Sequence, residues 1–265
     1  MALYTSGTIT TPNALITAIK DFAAANGCTV DTYTESTNYR LHLHKGDLHV
    51  DMQQTSTSVI TLYGCTAYAS GSAYNAQPGA SASKTISSLT SGSQYYLVSV
   101  VGGIYVVTSS SNVSVAGFVS VQDKIGGWTG GAVVVGSQTS SSYAFDATSY
   151  GYTQLYIDGA WTKTIAAGGL RGNLQRIQVS GQQPCQYNAT IVQVPACLFV
   201  GLSTDGTKLQ PVGYAPGLYR CSGGNIYSTG DIITIGSDDY LILPAGSWAA
   251  GIGSTRGDYL FKLGA

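Results

Sequence analysis

Charge is the scarcest property of this chain. Only 9 % of its 265 residues are Asp, Glu, Lys or Arg, against about a quarter in ordinary globular proteins. Glutamate occurs once, as Glu35, beside twelve aspartates. The 12 Lys and Arg are scattered singly and the net charge is −1. A nucleic-acid partner is therefore not expected, because it needs a basic stripe that displaces counterions from phosphates. No apolar run reaches the ~18 residues of a membrane-spanning helix, so no membrane partner is expected either. The opening MALYTSGTITTPNAL has no charged stretch followed by an apolar one, which predicts a protein that stays in the cytoplasm where it is made or leaves by cell lysis.

Catalytic signatures are also missing. There is no CxxC pair, GxSxG elbow, P-loop or HExxH, which argues against zinc ribbons, hydrolase nucleophiles and metalloprotease centres. Gly-rich GGWTGG (126–131) leads into a strand rather than a helix, so it reads as a tight bend at Trp128 and not as a phosphate cradle. Most aspartates, including Asp47, Asp158, Asp205, Asp238 and Asp239, stand in turn contexts where a short carboxylate bonds its own backbone. No pair of carboxylates stands out for glycoside hydrolysis. The chain is expected to be non-enzymatic and to use no cofactor.

What replaces charge is Gly (34), Tyr (19), Ser, Thr and Ala, with hydrophobic content still at 44 %. Such a chain buries a real core. Its weakly charged surface can be covered by another subunit without stranding ions, which favours an assembly component.

One helix is predicted over about residues 12–25. Thr11 suits the N-cap and Pro12 the first turn. Leu15, Ile16, Ile19, Phe22 and Ala23 form one apolar face, and Asn26-Gly27 ends it. From Thr29 onward the chain reads as β. Candidate strands are 40–44, 47–52, 59–65, 95–101, 103–108, 116–121, 131–136, 153–157, 160–164, 191–194, 197–203, 230–235 and 240–244. Asp-Gly at 158–159 and 205–206 and Gly-Gly at 102–103 predict hairpins. Low-complexity stretches at 69–93 and 136–151 read as surface loops or linkers. No repeat of 20 to 50 residues supports a solenoid or propeller. The expected fold is mainly β, with α+β character at the N-terminus. One amphipathic helix packs on antiparallel sheet over 1–125, and β-sandwich-like structure follows over 126–265. One continuous domain is the alternative.

All three histidines fall in RLHLHKGDLHVDM (40–52). As a hairpin, this places Leu41, Leu43, Leu48 and Val50 on one face, and Arg40, His42, His44, His49 and Asp51 on the other. If Lys45-Gly46 is the loop, His42 faces His49 and Arg40 faces Asp51. If Gly46-Asp47 is the loop, His44 faces His49 and His42 faces Asp51. Two readings stay open: a solvated or interface face, and a metal or pH-sensing cluster of His42, His44 and His49.

The five cysteines, Cys28, Cys65, Cys185, Cys197 and Cys221, are widely spaced. They read either as buried free thiols or as partners in disulfides formed after release into an oxidising medium. Trp128, Trp161 and Trp248 read as core or interface aromatics, with a sugar platform as the sharper alternative. The sequons at Asn112 and Asn188 carry little weight without a secretory signal.

Four blocks carry a resemblance to a family of structural proteins of tailed bacteriophages. They are NALITAIKDFAAANGCTVD (13–31) followed by LHLHKGDLHVDM (41–52); FVSVQDKIGGWTGGAVVVGS (118–137); LYIDGAWT (155–162); and LQPVGYAPGLYRCSGGNIYSTGDIITIGSDDYLILPAGS (209–247). Together they span nearly the whole chain in the family's order. The chain departs from the family's pattern at Cys28, where relatives often carry an aromatic. The resemblance implies a virion component of the neck, tail or baseplate, without enzymatic activity, assembled in the host cytoplasm. Its partners would be copies of itself and other virion proteins. A collar or neck position is favoured. The alternative is a tail-tip or fibre protein that binds host glycan through Tyr and Trp.

Overall fold

The computed structural model describes residues 3–109, 113–136, 153–166, 193–201, 209–221, 228–244 and 258–264. Cys185, Trp248, both sequon asparagines, the Asp-Gly at 205–206 and nearly all of the 136–151 stretch lie outside them.

The helix α1 (Pro12–Ala25) begins where the sequence places it. Thr11 Oγ1 accepts from the amide of Ala14 at 3.1 Å, with Pro12 at the first position. It ends in a Schellman motif. Gly27 takes φ +83°, its amide donates to Ala24 O, and the amide of Cys28 donates to Ala23 O at 3.0 Å. The buried face is Leu15, Ile16, Ile19, Phe22 and Ala23, each large member adding roughly 1.5–3 kcal/mol by burial.

Two antiparallel sheets make up the rest. The smaller has the order β2 (Thr29–Thr34), β3 (Arg40–Lys45), β4 (Leu48–Ser56), β5 (Val59–Cys65) and β6 (Lys84–Ile86). The larger is twelve-stranded. It begins with β1 (Tyr4–Thr8) and continues through β7 (Gln94–Val100), β8 (Gly103–Ser109), β9 (Val113–Ser120), β10 (Gly130–Val135), β11 (Thr153–Ile157) and β12 (Ala160–Ala166). It then runs through β13 (Gln193–Gly201), β14 (Leu209–Cys221), β17 (Asp258–Leu263), β16 (Asp238–Pro244) and β15 (Ile232–Ile235). The fold is thus mainly β with one N-terminal helix on antiparallel sheet, as expected.

The division expected near residues 125–126 falls between two strands of one sheet. β9 and β10 pair across it, from Ala132↔Ser120 to Val135↔Gly117. The helix and the five-stranded sheet are instead an insertion between β1 and β7. The chain leaves and re-enters side by side: the Ile9 amide donates to Ser93 O at 2.7 Å, and the Gly92 amide donates to Ile9 O at 2.9 Å.

Strict alternation on β7 to β10 feeds two cores. Val98, Tyr105, Val107, Val119 and Val133 face the remote strands of the same sheet, including Leu218, Leu241 and Phe261. Leu97, Ile104, Val106, Phe118 and Val134 face α1 and the leucine side of the small sheet. Burial on both faces explains why these strands read as nearly continuous apolar runs. The long sheet curls onto itself: Gln122 and Tyr214 exchange both backbone hydrogen bonds at 2.9 and 2.8 Å, and Tyr105 meets Phe261 edge-on at 5.3 Å.

Several strand expectations shift. The Gly-Gly hairpin turns at Val101-Gly102, because Val100 pairs with Gly103. The described parts of segments 191–194 and 197–203 belong to one strand, β13, with an irregularity at Pro195/Cys197 marking the expected gap. β14 was not expected, since Pro211, Gly213, Pro216 and Gly217 argue against a strand. The Asp158-Gly159 hairpin forms as read, with both residues at positive φ.

Candidate functional site

The histidine hairpin takes the second of its two registers. His44 faces His49, His42 faces Asp51, and Lys45 pairs with Leu48 around a Gly46-Asp47 turn. Gly46 supplies the positive φ of +58° that the turn requires. Leu41, Leu43, Leu48 and Val50 are fully buried against α1 and the large sheet.

The polar side of the hairpin meets solvent only at its rim, where the Arg40 and His44 side chains are 20 % and 29 % exposed. His42 and Asp51 are both 0 % exposed. The low-complexity segment read as a surface loop folds over them. Tyr68, just ahead of that segment, lies 4.8 Å from the His42 ring, and its hydroxyl meets Thr32 Oγ1 at 2.5 Å. Arg40 Nη1 donates to Ser72 O at 2.8 Å. Buried Gln77 holds the segment closed: its Oε1 accepts from the Ala69 amide at 2.8 Å and its Nε2 donates to Ser72 O at 3.2 Å. The far end is tied to the large sheet, where Trp161 Nε1 donates to Gly79 O at 2.6 Å and Gln154 Oε1 accepts from the Ala82 amide at 2.9 Å.

Beneath that cover lies a hydrogen-bonded cluster of alternating charge. Arg40 reaches diagonally to Asp51, with Nε to Oδ1 at 3.2 Å and Nη2 to Oδ2 at 2.5 Å. Asp51 Oδ2 also lies 3.2 Å from His42 Nδ1. A carboxylate only accepts, so Nδ1 is the donor in this contact, and Nε2 points the other way. That Nε2 is 3.4 Å from His49 Nδ1 and 3.7 Å from Asp31 Oδ2. His44 Nδ1 donates to Asp31 Oδ2 at 2.7 Å, and its ring stacks on His49 at 4.8 Å. Burial, and then the nearness of His44 and His42, hold the His49 pKa below its ordinary value.

Asp31 is the member that reading the sequence missed. It belongs to β2, where the pairing with β3 slips between Val30 and Thr32. The slip is a β-bulge. It turns the Asp31 carboxylate onto the histidine face beside Thr32, which itself pairs with His42. TVDTYT carries no local signal of this, because a bulge exists only relative to the partner strand. Among the described residues, Asp31, His42 and His49 form the one group of three placed to hold a metal ion, their donor atoms all within 4.8 Å of one another. His44 is set beside the group as the support of Asp31.

The other singled-out residues are dispersed. Cys28 and Cys65 are buried free thiols, and Cys197 is a half-buried free thiol. Cys65 faces His49 across β4 and β5, and burial first, then nearby Asp51, pushes its thiol up to about 12. Cys221 is the last residue of β14. Trp128 lies beside Lys124, whose Nζ is 4.9 Å from the ring, and its Nε1 donates to Ile125 O at 3.0 Å. Trp161 packs over Gly64 where the two sheets meet.

No protein-family model matches the chain, and no curated protein matches it.

Proposed function

We propose that this chain is a non-enzymatic structural component of a tailed-phage virion. It would be a collar or neck protein near the head–tail junction, working through contacts with its own copies and with other virion proteins. The four sequence blocks, in family order, support the phage reading. The observation that carries the assembly role is the end of the twelve-stranded sheet. Among the described residues, only β16 pairs with the outermost strand β15. Its sequence, IITI, has no charge and no proline, and Ile232 is 46 % exposed. Proteins that stay single usually guard such an edge with Lys, Pro or a bulge. An unguarded one can pair with a neighbour in a ring, where one face of a subunit meets a different face of the next.

The aspartates outside the histidine cluster support the non-enzymatic part. Asp158 accepts from the Thr129 amide at 2.8 Å, Asp231 from the Ser228 amide at 2.6 Å, and Asp239 from the Thr234 hydroxyl at 2.7 Å. Each is occupied by turn or loop geometry.

Antibody-gold labelling of intact particles, viewed by negative-stain electron microscopy, tests the proposal. Label is expected at the head–tail junction. Label at the distal tip would replace the neck assignment with the glycan-binding tail-tip alternative. That alternative draws little support from Trp128 and Trp161, whose indole N–H groups are already spent on backbone carbonyls. Particles without label would overturn the virion reading.

A further inference from the structure

We propose that Asp31, His42 and His49 form a binding site for one divalent transition-metal ion of the zinc type. Four independent features converge on it.

Spacing is the first. Ligands about 2.0–2.1 Å from a tetrahedral metal lie roughly 3.3 Å from one another. His42 Nε2 is 3.4 Å from His49 Nδ1 and 3.7 Å from Asp31 Oδ2, and all three donors fall within 4.8 Å. The two spacings at His42 need shifts of only a few tenths of an ångström, while the His49–Asp31 spacing, within 4.8 Å, must close by about 1–1.5 Å. Two imidazoles and one carboxylate on three adjacent strands leave a fourth position for water, and this donor set favours zinc-type ions over calcium or magnesium.

Orientation is the second. His42 is fully buried, and Asp51 fixes its ring through Nδ1 while Arg40 holds Asp51. A carboxylate behind a histidine is the usual outer support of a metal ligand. His44 gives Asp31 the same support.

Charge is the third. Arg40 balances one of the two carboxylates, Asp51. Among the described residues, Asp31 lies against the rings of His44 and His42, at 2.7 and 3.7 Å. Two carboxylates face one guanidinium here, an imbalance that a bound cation compensates.

The bulge is the fourth. β2 is an edge strand of the small sheet, and its register breaks where Asp31 must turn inward. A metal there would tie that edge to β3 and β4.

The test uses the untagged full chain, stripped with chelator and dialysed against Zn²⁺. One equivalent of zinc is expected, with a thermal midpoint raised by several degrees. Co²⁺ in place of zinc should give visible bands of a four- or five-coordinate ion. Asp31→Asn and His49→Gln should each weaken binding by more than about 100-fold, since losing a ligand outweighs the 10–100-fold cost of losing an outer partner. His44→Gln should weaken it by only about 10–100-fold and keep one equivalent. Circular dichroism of each metal-free variant checks its fold. X-ray absorption of the zinc-loaded wild-type chain needs no variant and should count two imidazoles. A stoichiometry near zero would overturn the site. So would three imidazoles, or binding that survives Asp31→Asn but not His44→Gln, since those results assign the metal to the histidines alone.

Discussion

Replacing Arg40 by Met keeps most of the apolar stem and removes only the charged head. The lost partner is Asp51, which is 0 % exposed and receives two bonds from the guanidinium. An exposed ion pair would be worth no more than about 1 kcal/mol. Stripping one partner from a buried pair costs about 3–5 kcal/mol, because the remaining charge is left in a poorly solvating interior. The Arg40 side chain is 20 % exposed, so some water reaches the pair and the lower end of that range applies. At roughly 2–4 °C per kcal/mol for a chain of this size, the thermal midpoint should fall by about 6–12 °C. Near-ultraviolet circular dichroism during heating, together with urea unfolding, would measure it. Adding Asp51→Asn to Arg40→Met should recover a good part of the loss, since the amide carbonyl still accepts from His42 and no ion remains buried. A single-variant cost below about 1 kcal/mol, or a double variant equal to the sum of the two singles, would refute the reasoning.

Other residues give independent tests. The Tyr105 hydroxyl is fully buried and has no hydrogen-bond partner among the described residues, so Tyr105→Phe should be neutral or stabilising by up to about 1–3 kcal/mol in urea unfolding; a clear loss would overturn that. A Cβ on Gly64 would meet the Trp161 ring and sit 2.6 Å from Val134 Cγ2. Gly64→Ala should therefore destabilise by about 1–3 kcal/mol through overpacking and shift Trp161 fluorescence. The Cys65 thiol, pushed from 9.0 up to about 12, should resist iodoacetamide at pH 8 until the protein unfolds. Its unfolded form ionises near pH 9 and its folded form does not, so its contribution to stability is complete below pH 9 and is lost as pH rises toward 12. Cys65→Ala should flatten that alkaline loss in a pH series of urea midpoints.

Helix α1 was legible because its signals are local: a capping threonine, a proline behind it, 3.6-residue periodicity and a glycine stop. The two faces of the histidine hairpin were legible by alternation, but its register was not. Moving the loop by one residue leaves the leucine face unchanged, so hydrophobic pattern cannot decide between the two pairings. The burial of His42 and Asp51 was illegible for a different reason. Their cover, residues 66–82, is Ser, Gly, Ala and Tyr held by hydrogen bonds through Gln77, Ser72 and Gly79, and such packing has no sequence period. Asp31 joined the cluster only through pairing between strands. β14 hid behind its prolines and glycines, which sit where its pairing with β13 is irregular.

The insertion of the helix-bearing sheet has a mechanical consequence. Its entry and exit are clasped at Ile9, Gly92 and Ser93, and the clasp continues into five β1–β7 residue pairs from Tyr4↔Val98 to Thr8↔Gln94. Tension applied at the two ends of the chain would pass from β1 straight across to β7. The 82 residues between Ile9 and Gly92 would bear no load until that seam sheared. Under such tension the long meander would act as the tether, and the module with the histidine cluster would ride on it unstretched.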